Sequence, residues 1–110
     1  MYARLARFEG SDPSKLDEQI EEIRQQLAAA RSGDLPADAP PEAQTLMETV
    51  SRFVQLVDRK TGASIGIAYA ETEDDMRRAD QALNAMSPPD DSGMRRTGVE
   101  IYEVALDESF

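Results

Sequence analysis

The sequence has 110 residues, a length that favours one domain, and it carries 22 acidic against 12 basic residues for a net charge of −10. This acidity argues against nucleic-acid and anionic-membrane partners, because both require a concentrated positive surface. The chain has neither cysteine nor histidine, which excludes thiolate nucleophiles, disulfides and histidine bases or ligands. We therefore expect no metal site and no cofactor. No stretch has the length and apolarity of a signal peptide or membrane span, so we expect a cytoplasmic protein.

The first part of the chain predicts a strand followed by an amphipathic helix. Residues 2–9 have a strand pattern with Leu5 and Phe8 as the bulky apolar residues. Asp12 is a suitable N-cap and Pro13 suits the first helical position, so a helix is expected to begin there and to end near Gly33. Its apolar stripe, at spacings of four, three and four, consists of Leu16, Ile20, Ile23 and Leu27.

The middle of the chain predicts a loop, a short helix and a hairpin. Residues 34–41 are acidic and rich in proline, which is typical of a loop, and Pro41 suits the start of a short helix through Met47. Residues 50–58 and 63–70 are rich in Val, Ile and Phe, and Arg59–Gly62 between them reads as a turn. These two segments are therefore predicted to form a β-hairpin.

A second helix and a last strand complete the pattern. Thr72 with Asp75 three residues later resembles a capping box. An apolar stripe follows at helical spacing, formed by Met76, Ala79, Leu83 and Met86. Residues 88–93 end this helix, and the final strand is predicted from about Arg96 to Leu106.

The β-α-β-β-α-β order predicts an α+β, ferredoxin-like domain in which both helices cover one face of a four-stranded antiparallel sheet. Three of the strands are apolar on both faces; in the second, Phe53 and Val57 oppose Val54 and Leu56. Burying ~600 Å² of the uncovered face would contribute on the order of 15 kcal/mol before association costs. We therefore expect a homodimer through this sheet face; the alternative is a monomer with a mildly apolar sheet.

The chain resembles the dimeric α+β barrel superfamily, in particular its antibiotic-biosynthesis-monooxygenase-like (ABM) branch. The resemblance rests on the opening strand Tyr2–Gly10, the acidic helix after it, and Ser64–Met76, where a strand leads straight into a helix headed by acidic residues. It implies two protomers packed sheet to sheet, each with a pocket between its sheet and helices. Known activities of the family include cofactor-free oxygenation of polycyclic aromatics and haem degradation.

No catalytic residue of the family transfers to this sequence. Haem-degrading members use a histidine ligand together with Asn and Trp, and this chain has no histidine and no tryptophan. Oxygenase members use Asn, Trp and Tyr-like groups around the substrate. The only asparagine here is Asn84, on the second predicted helix and not on the first strand.

Four strand residues are candidates for binding a ligand: Arg52, Tyr69, Tyr102 and Arg4. Arg52 shares a predicted strand face with Val50, Val54 and Leu56, and a charge among apolar neighbours is usually paired or functional. The functional interpretation is an arginine that orients an anionic or carbonyl-bearing ligand on the helix side of the sheet. The structural interpretation is an ion pair of Arg52 with Glu100 or Glu103, or an arginine at a dimer edge whose aliphatic part lies on the apolar surface while its guanidinium reaches water. The tyrosines are equally consistent with ordinary strand residues whose hydroxyls reach water.

Three functions follow as hypotheses. The first is a homodimer that binds a small hydrophobic molecule without catalysis. The second is a cofactor-independent monooxygenase or isomerase acting on a carbonyl or polycyclic compound. The third is a structural or interaction dimer with no pocket.

Overall fold

The computed structural model describes residues 1–10, 12–33, 41–85 and 94–110. They form four strands, three α-helices and a 3₁₀ turn at Pro13–Lys15. The strands are β1 (Tyr2–Glu9), β2 (Arg52–Val57), β3 (Ser64–Ala70) and β4 (Arg95–Glu103). The helices are α1 (Leu16–Arg31), α2 (Pro41–Thr49) and α3 (Glu73–Ala85). The α+β class predicted from the sequence is confirmed.

The helix starts form at the predicted caps. The Asp12 carboxylate accepts from the Ser14 backbone N–H at 3.0 Å, although a 3₁₀ turn precedes the α-helix proper. The Thr72 hydroxyl accepts from the Asp75 backbone N–H at 3.1 Å, which caps α3 as its sequence predicts. α2 continues to Thr49, two residues past the predicted Met47. Met86, the last residue of the predicted α3 stripe, lies outside the described residues.

The strands form one antiparallel sheet in the order β2-β3-β1-β4, with β1 and β3 in the centre. β2 and β3 form the predicted hairpin, and Gly62 in its turn has a φ of 82°, a conformation that glycine adopts without steric cost. The arrangement is compatible with a ferredoxin-like fold.

Two strand boundaries predicted from the sequence are wrong. The second strand begins at Arg52, not Val50, because the Val50 N–H bonds to the Leu46 carbonyl at 2.9 Å and closes α2. The last strand ends at Glu103, not Leu106, and Leu106 is 78% exposed. Glu103 pairs with Tyr2, the first residue of β1, and one further bond follows, from the Val104 N–H to the Met1 carbonyl at 2.9 Å.

The three helices lie on one face of the sheet, and α3 packs most closely against it. α3 contacts β1 and β3, and α2 packs against α3. The interface is built from small residues, since Ala68, Ala70 and Ala79 are each almost fully buried beside Met76. Small side chains let the helix approach the sheet closely. We call this side the helix face.

The opposite side of the sheet, which we call the open face, carries Ala3, Leu5, Arg7, Arg52, Val54, Leu56, Ile65, Ile67, Tyr69, Glu100 and Tyr102. The strand register places these side chains together, since Val54 pairs with Ile67 and Ile67 pairs with Leu5. No helix of the described residues lies on this face, and Leu56 remains 50% exposed. β2 and β3 carry apolar residues on this face, whereas β4 carries Gly98, Glu100 and Tyr102, and the predicted Val104 and Leu106 lie beyond its end.

Candidate functional site

Arg4 is a buried cation on the helix face. Its side chain is only 4% exposed, and its Nε donates to the Asp80 carboxylate of α3 at 2.7 Å. Its Nη2 donates to the Asn84 side-chain oxygen at 2.9 Å. Arg4 points to this face because alternate residues of β1 share a face of the sheet, and α3 packs over it. Asp80 and Asn84 are one helical turn apart on α3, so both can reach the Arg4 guanidinium.

A second arginine joins this cluster from β4. Nη1 of Arg96 donates to the same Asn84 oxygen at 2.7 Å, and the Asn84 amide donates to Asp80 at 3.4 Å. One amide oxygen therefore accepts from two guanidinium groups. The cluster ties α3 to β1 and β4, and both Asp80 and Asn84 are engaged in doing so, which favours a structural role.

Arg52 and Tyr69 lie together on the open face. They are paired across the β2–β3 ladder, and the Arg52 guanidinium lies 5.8 Å from the centre of the Tyr69 ring. This is a cation–π contact at an exposed position. It holds the arginine side chain along the sheet surface.

Tyr102 also lies on the open face, at the opposite edge of the sheet. Its hydroxyl donates a short hydrogen bond to Glu100, and Nε of Arg7 donates to the other oxygen of that carboxylate at 2.9 Å. The bond from Tyr102 and then that from Arg7 hold the pKa of Glu100 below its ordinary value. The same carboxylate raises the pKa of the Tyr102 hydroxyl. Arg7, Glu100 and Tyr102 thus form a hydrogen-bonded triad on this side of the open face.

The four predicted ligand-binding residues are not brought together. Arg4 is buried on the helix face, whereas Arg52, Tyr69 and Tyr102 are on the open face. The expectation that Arg52 reaches a pocket on the helix side is wrong, because it alternates with Phe53, which points to the helices. An ion pair between Arg52 and Glu100 or Glu103 is also wrong, since β2 and β4 are opposite edges of the sheet.

A groove on the helix face lies between α1 and β2, and we call it the α1–β2 groove. Its volume is about 440 Å³. Its lining consists of Ile20, Ile23, Arg24, Leu27, Ala28 and Arg31 of α1 with Phe53 and Gln55 of β2. Five of these eight residues are apolar, and the polar ones are two arginines and an amide. The groove is therefore suited to an apolar molecule with a polar end.

The groove exists because only one end of α1 is fully packed. Leu16, the first residue of the helical stripe, is 1% exposed. Ile20, Ile23 and Leu27 continue the same stripe but are only half-buried. On β2, Phe53 and Gln55 alternate with the open-face residues and so point towards this helix. The rest of the stripe thus borders open space.

A second cleft of about 290 Å³ lies between α2 and α3. It is lined by Pro41, Glu42, Thr45, Arg78, Gln81, Ala82 and Ala85. Arg78 there is bound to Glu48 at 2.9 Å. Its lining is more polar than that of the α1–β2 groove and offers less apolar surface to a ligand.

Residues 1–10, 12–33, 41–85 and 94–110 contain neither a metal site nor a membrane-spanning helix. No group of three or more acidic side chains that could hold a metal ion occurs there. None of the described helices is both long and apolar enough to cross a membrane.

The roles of several residues in these sites were not predicted from the sequence. Asp80 and Asn84 are one helical turn apart and face Arg4, a contact that the i, i+4 spacing alone does not reveal. Gln55 is a polar residue among the apolar residues of its strand, and this signal could have indicated a polar position in the groove.

Comparison with known proteins adds no family to this description. No protein-family model matches the chain, and no curated protein matches it.

Proposed function

We propose that the chain forms a homodimer through its open face and binds a small hydrophobic molecule in the α1–β2 groove. The fold of such a pair would be the dimeric α+β barrel that the ABM resemblance implies. The observation that carries the binding proposal is the groove itself, an open space of about 440 Å³ between helix and sheet in which five of eight lining residues are apolar. Such a volume is within the ~300–1,000 Å³ of ordinary small-molecule sites.

The dimer is supported by the composition of the open face. An apolar row formed by Val54, Ile67 and Leu5 crosses three adjacent strands. The polar residues around it, Arg52, Arg7, Glu100 and Tyr102, are already engaged in contacts within the protomer. Apolar surface bordered by polar groups is the usual anatomy of a protein interface. A two-fold related copy would cover the face with an identical surface.

Binding, not turnover, is proposed because of the residues that line the groove. The described lining contains no carboxylate, tyrosine or histidine to act as a base. The cofactor-independent oxygenase remains a prediction, which oxygen consumption with quinol-type substrates would test.

The binding proposal can be tested with Nile red, a neutral dye whose fluorescence rises in apolar surroundings. Ala28 is exposed on the groove wall, so Ala28→Trp should fill the space and weaken dye binding at least tenfold. Ala85→Trp is the matched control, because Ala85 is also an exposed helical alanine but lines the second cleft. Unchanged binding in Ala28→Trp, or no binding by the unmodified chain, would contradict the proposal.

A further inference from the structure

We propose that the groove ligand is a free amphipathic carboxylate, with its tail against the apolar wall and its headgroup at Arg24 and Arg31. This inference rests on the proposed binding function and specifies the chemistry of the ligand. It is drawn from the sign of the charges around the groove.

The charge of the groove is opposite to that of the chain. The protein as a whole carries a net charge of −10. The described lining of the groove nevertheless has two arginines and no acidic residue. Two guanidinium groups in a lining without a carboxylate favour an anionic ligand over a cationic one, although the rest of α1 carries Asp17, Glu18, Glu21 and Glu22.

Arg24 retains the capacity to bind such a ligand. Among the described residues its ion pair is with Glu21 of the same helix at 3.7 Å, and both side chains are more than half exposed. Exposed pairs of this kind contribute little, so a ligand carboxylate can replace Glu21. Arg31 is in the last turn of α1, where a cation also stabilises the helix through its dipole. A change at Arg31 therefore affects the helix as well as ligand binding, whereas a change at Arg24 reports on ligand binding more directly.

The two arginines lie along the apolar stripe, not opposite it. They are seven residues apart, so their Cα atoms are about 10 Å from each other, a gap that two long side chains can close. Ile20 and Ile23 adjoin them on the helix, and Phe53 faces them from the sheet. Gln55 adds an amide donor from β2. This arrangement places a headgroup at the margin of the groove and a tail inside it.

Decanoate and decanol distinguish this ligand from a merely apolar one. Without the arginines the alcohol should bind better, because a carboxylate loses more hydration on entering an apolar site. We expect the unmodified protein to bind decanoate more tightly than decanol by isothermal titration calorimetry. We also expect added salt to weaken decanoate binding alone.

The variant Arg24→Gln/Arg31→Gln should weaken decanoate binding about tenfold, at roughly threefold for each exposed pair lost, and leave decanol binding unchanged. The matched control is Arg77→Gln/Arg95→Gln, which removes the same charge from two exposed arginines outside the groove. Decanoate should bind this control as it binds the unmodified chain.

Three other results of these titrations would each contradict a specific claim. Equal decanoate affinity in the groove variant and the control would overturn the inference and leave the groove as a site for neutral molecules. Decanoate binding that survives Ala28→Trp would show that the anion binds elsewhere. Failure of both decanoate and decanol to bind would overturn the proposed function together with the inference.

Discussion

Removing either partner of the buried Arg4–Asp80 pair should destabilise the protein, and the two losses should be unequal. The Arg4 side chain is 4% exposed, whereas that of Asp80 is 27% exposed. If Arg4 is replaced by methionine, the Asp80 carboxylate that remains can rehydrate through its exposed side. If Asp80 is replaced by asparagine, the Arg4 guanidinium stays charged and buried without an anion.

The magnitudes follow from this difference in exposure. Breaking a buried ion pair typically costs ~3–5 kcal/mol, because the remaining charge is left uncompensated. Asp80→Asn should cost about 3 kcal/mol, since the amide oxygen at position 80 can still accept from Arg4 but carries no charge to offset the buried guanidinium. Arg4→Met should cost about 2 kcal/mol, because the methionine fills part of the space and the exposed carboxylate regains water.

Urea unfolding followed by circular dichroism measures these changes in the free energy of unfolding. Arg77→Met is the control, because Arg77 forms only exposed pairs on α3 and its loss should leave the midpoint unchanged within error. The opposite order, with Arg4→Met more destabilising than Asp80→Asn, would refute the reasoning from burial. A loss below about 1 kcal/mol for both would show that the cluster does not hold α3 to the sheet.

Three further predictions concern the sheet. Val54→Asp places a charge beside Ile67 in the apolar row of the open face and should convert the dimer to monomer in sedimentation; an unchanged dimer would count against this interface. Gly66→Ala should leave stability unchanged or raise it by up to about 1 kcal/mol in urea unfolding, because the added methyl meets only the Phe53 ring at 3.4 Å; a clear loss would show that the strand is too crowded there. Tyr102→Phe should raise the pKa of Glu100 towards its ordinary 4.5, measured by NMR of the carboxyl carbon, since the hydroxyl is the largest cause of its lowering. The folded-state pKa of Glu100 lies below its ordinary 4.5, so its stabilising contribution is fully present above pH 4.5 and is lost as pH falls through the folded-state pKa. An unchanged pKa of Glu100 in Tyr102→Phe would contradict the assigned cause.

The local structure was largely predictable from the sequence because it depends on nearby residues. Asp12 and Thr72 cap the helices that follow them, and period-two alternation assigned Phe53 and Val54 to opposite faces. These signals act over a few residues and need no knowledge of the tertiary structure. The strand ends were less predictable, because the end of β4 is set by where its partner β1 begins.

The candidate site was less predictable because it depends on which edge of the sheet each strand occupies. Arg52 was expected to meet Glu100 or Glu103, but the order β2-β3-β1-β4 separates their strands by the whole width of the sheet. Likewise, the partners of Arg4 come from residues about 80 positions away in the sequence. The groove results from incomplete packing of α1, and a stripe of Ile and Leu looks the same in sequence whether it is fully or half buried.

The proposed dimer requires a second copy to cover the open face, and sedimentation velocity at micromolar concentration tests this most directly. The chain has a mass of 12.2 kDa, so we expect a single species of about twice that mass, which Val54→Asp shifts to the monomer. A single species of 12.2 kDa for the unmodified protein would contradict it, because the apolar face would then be stable in water without a partner.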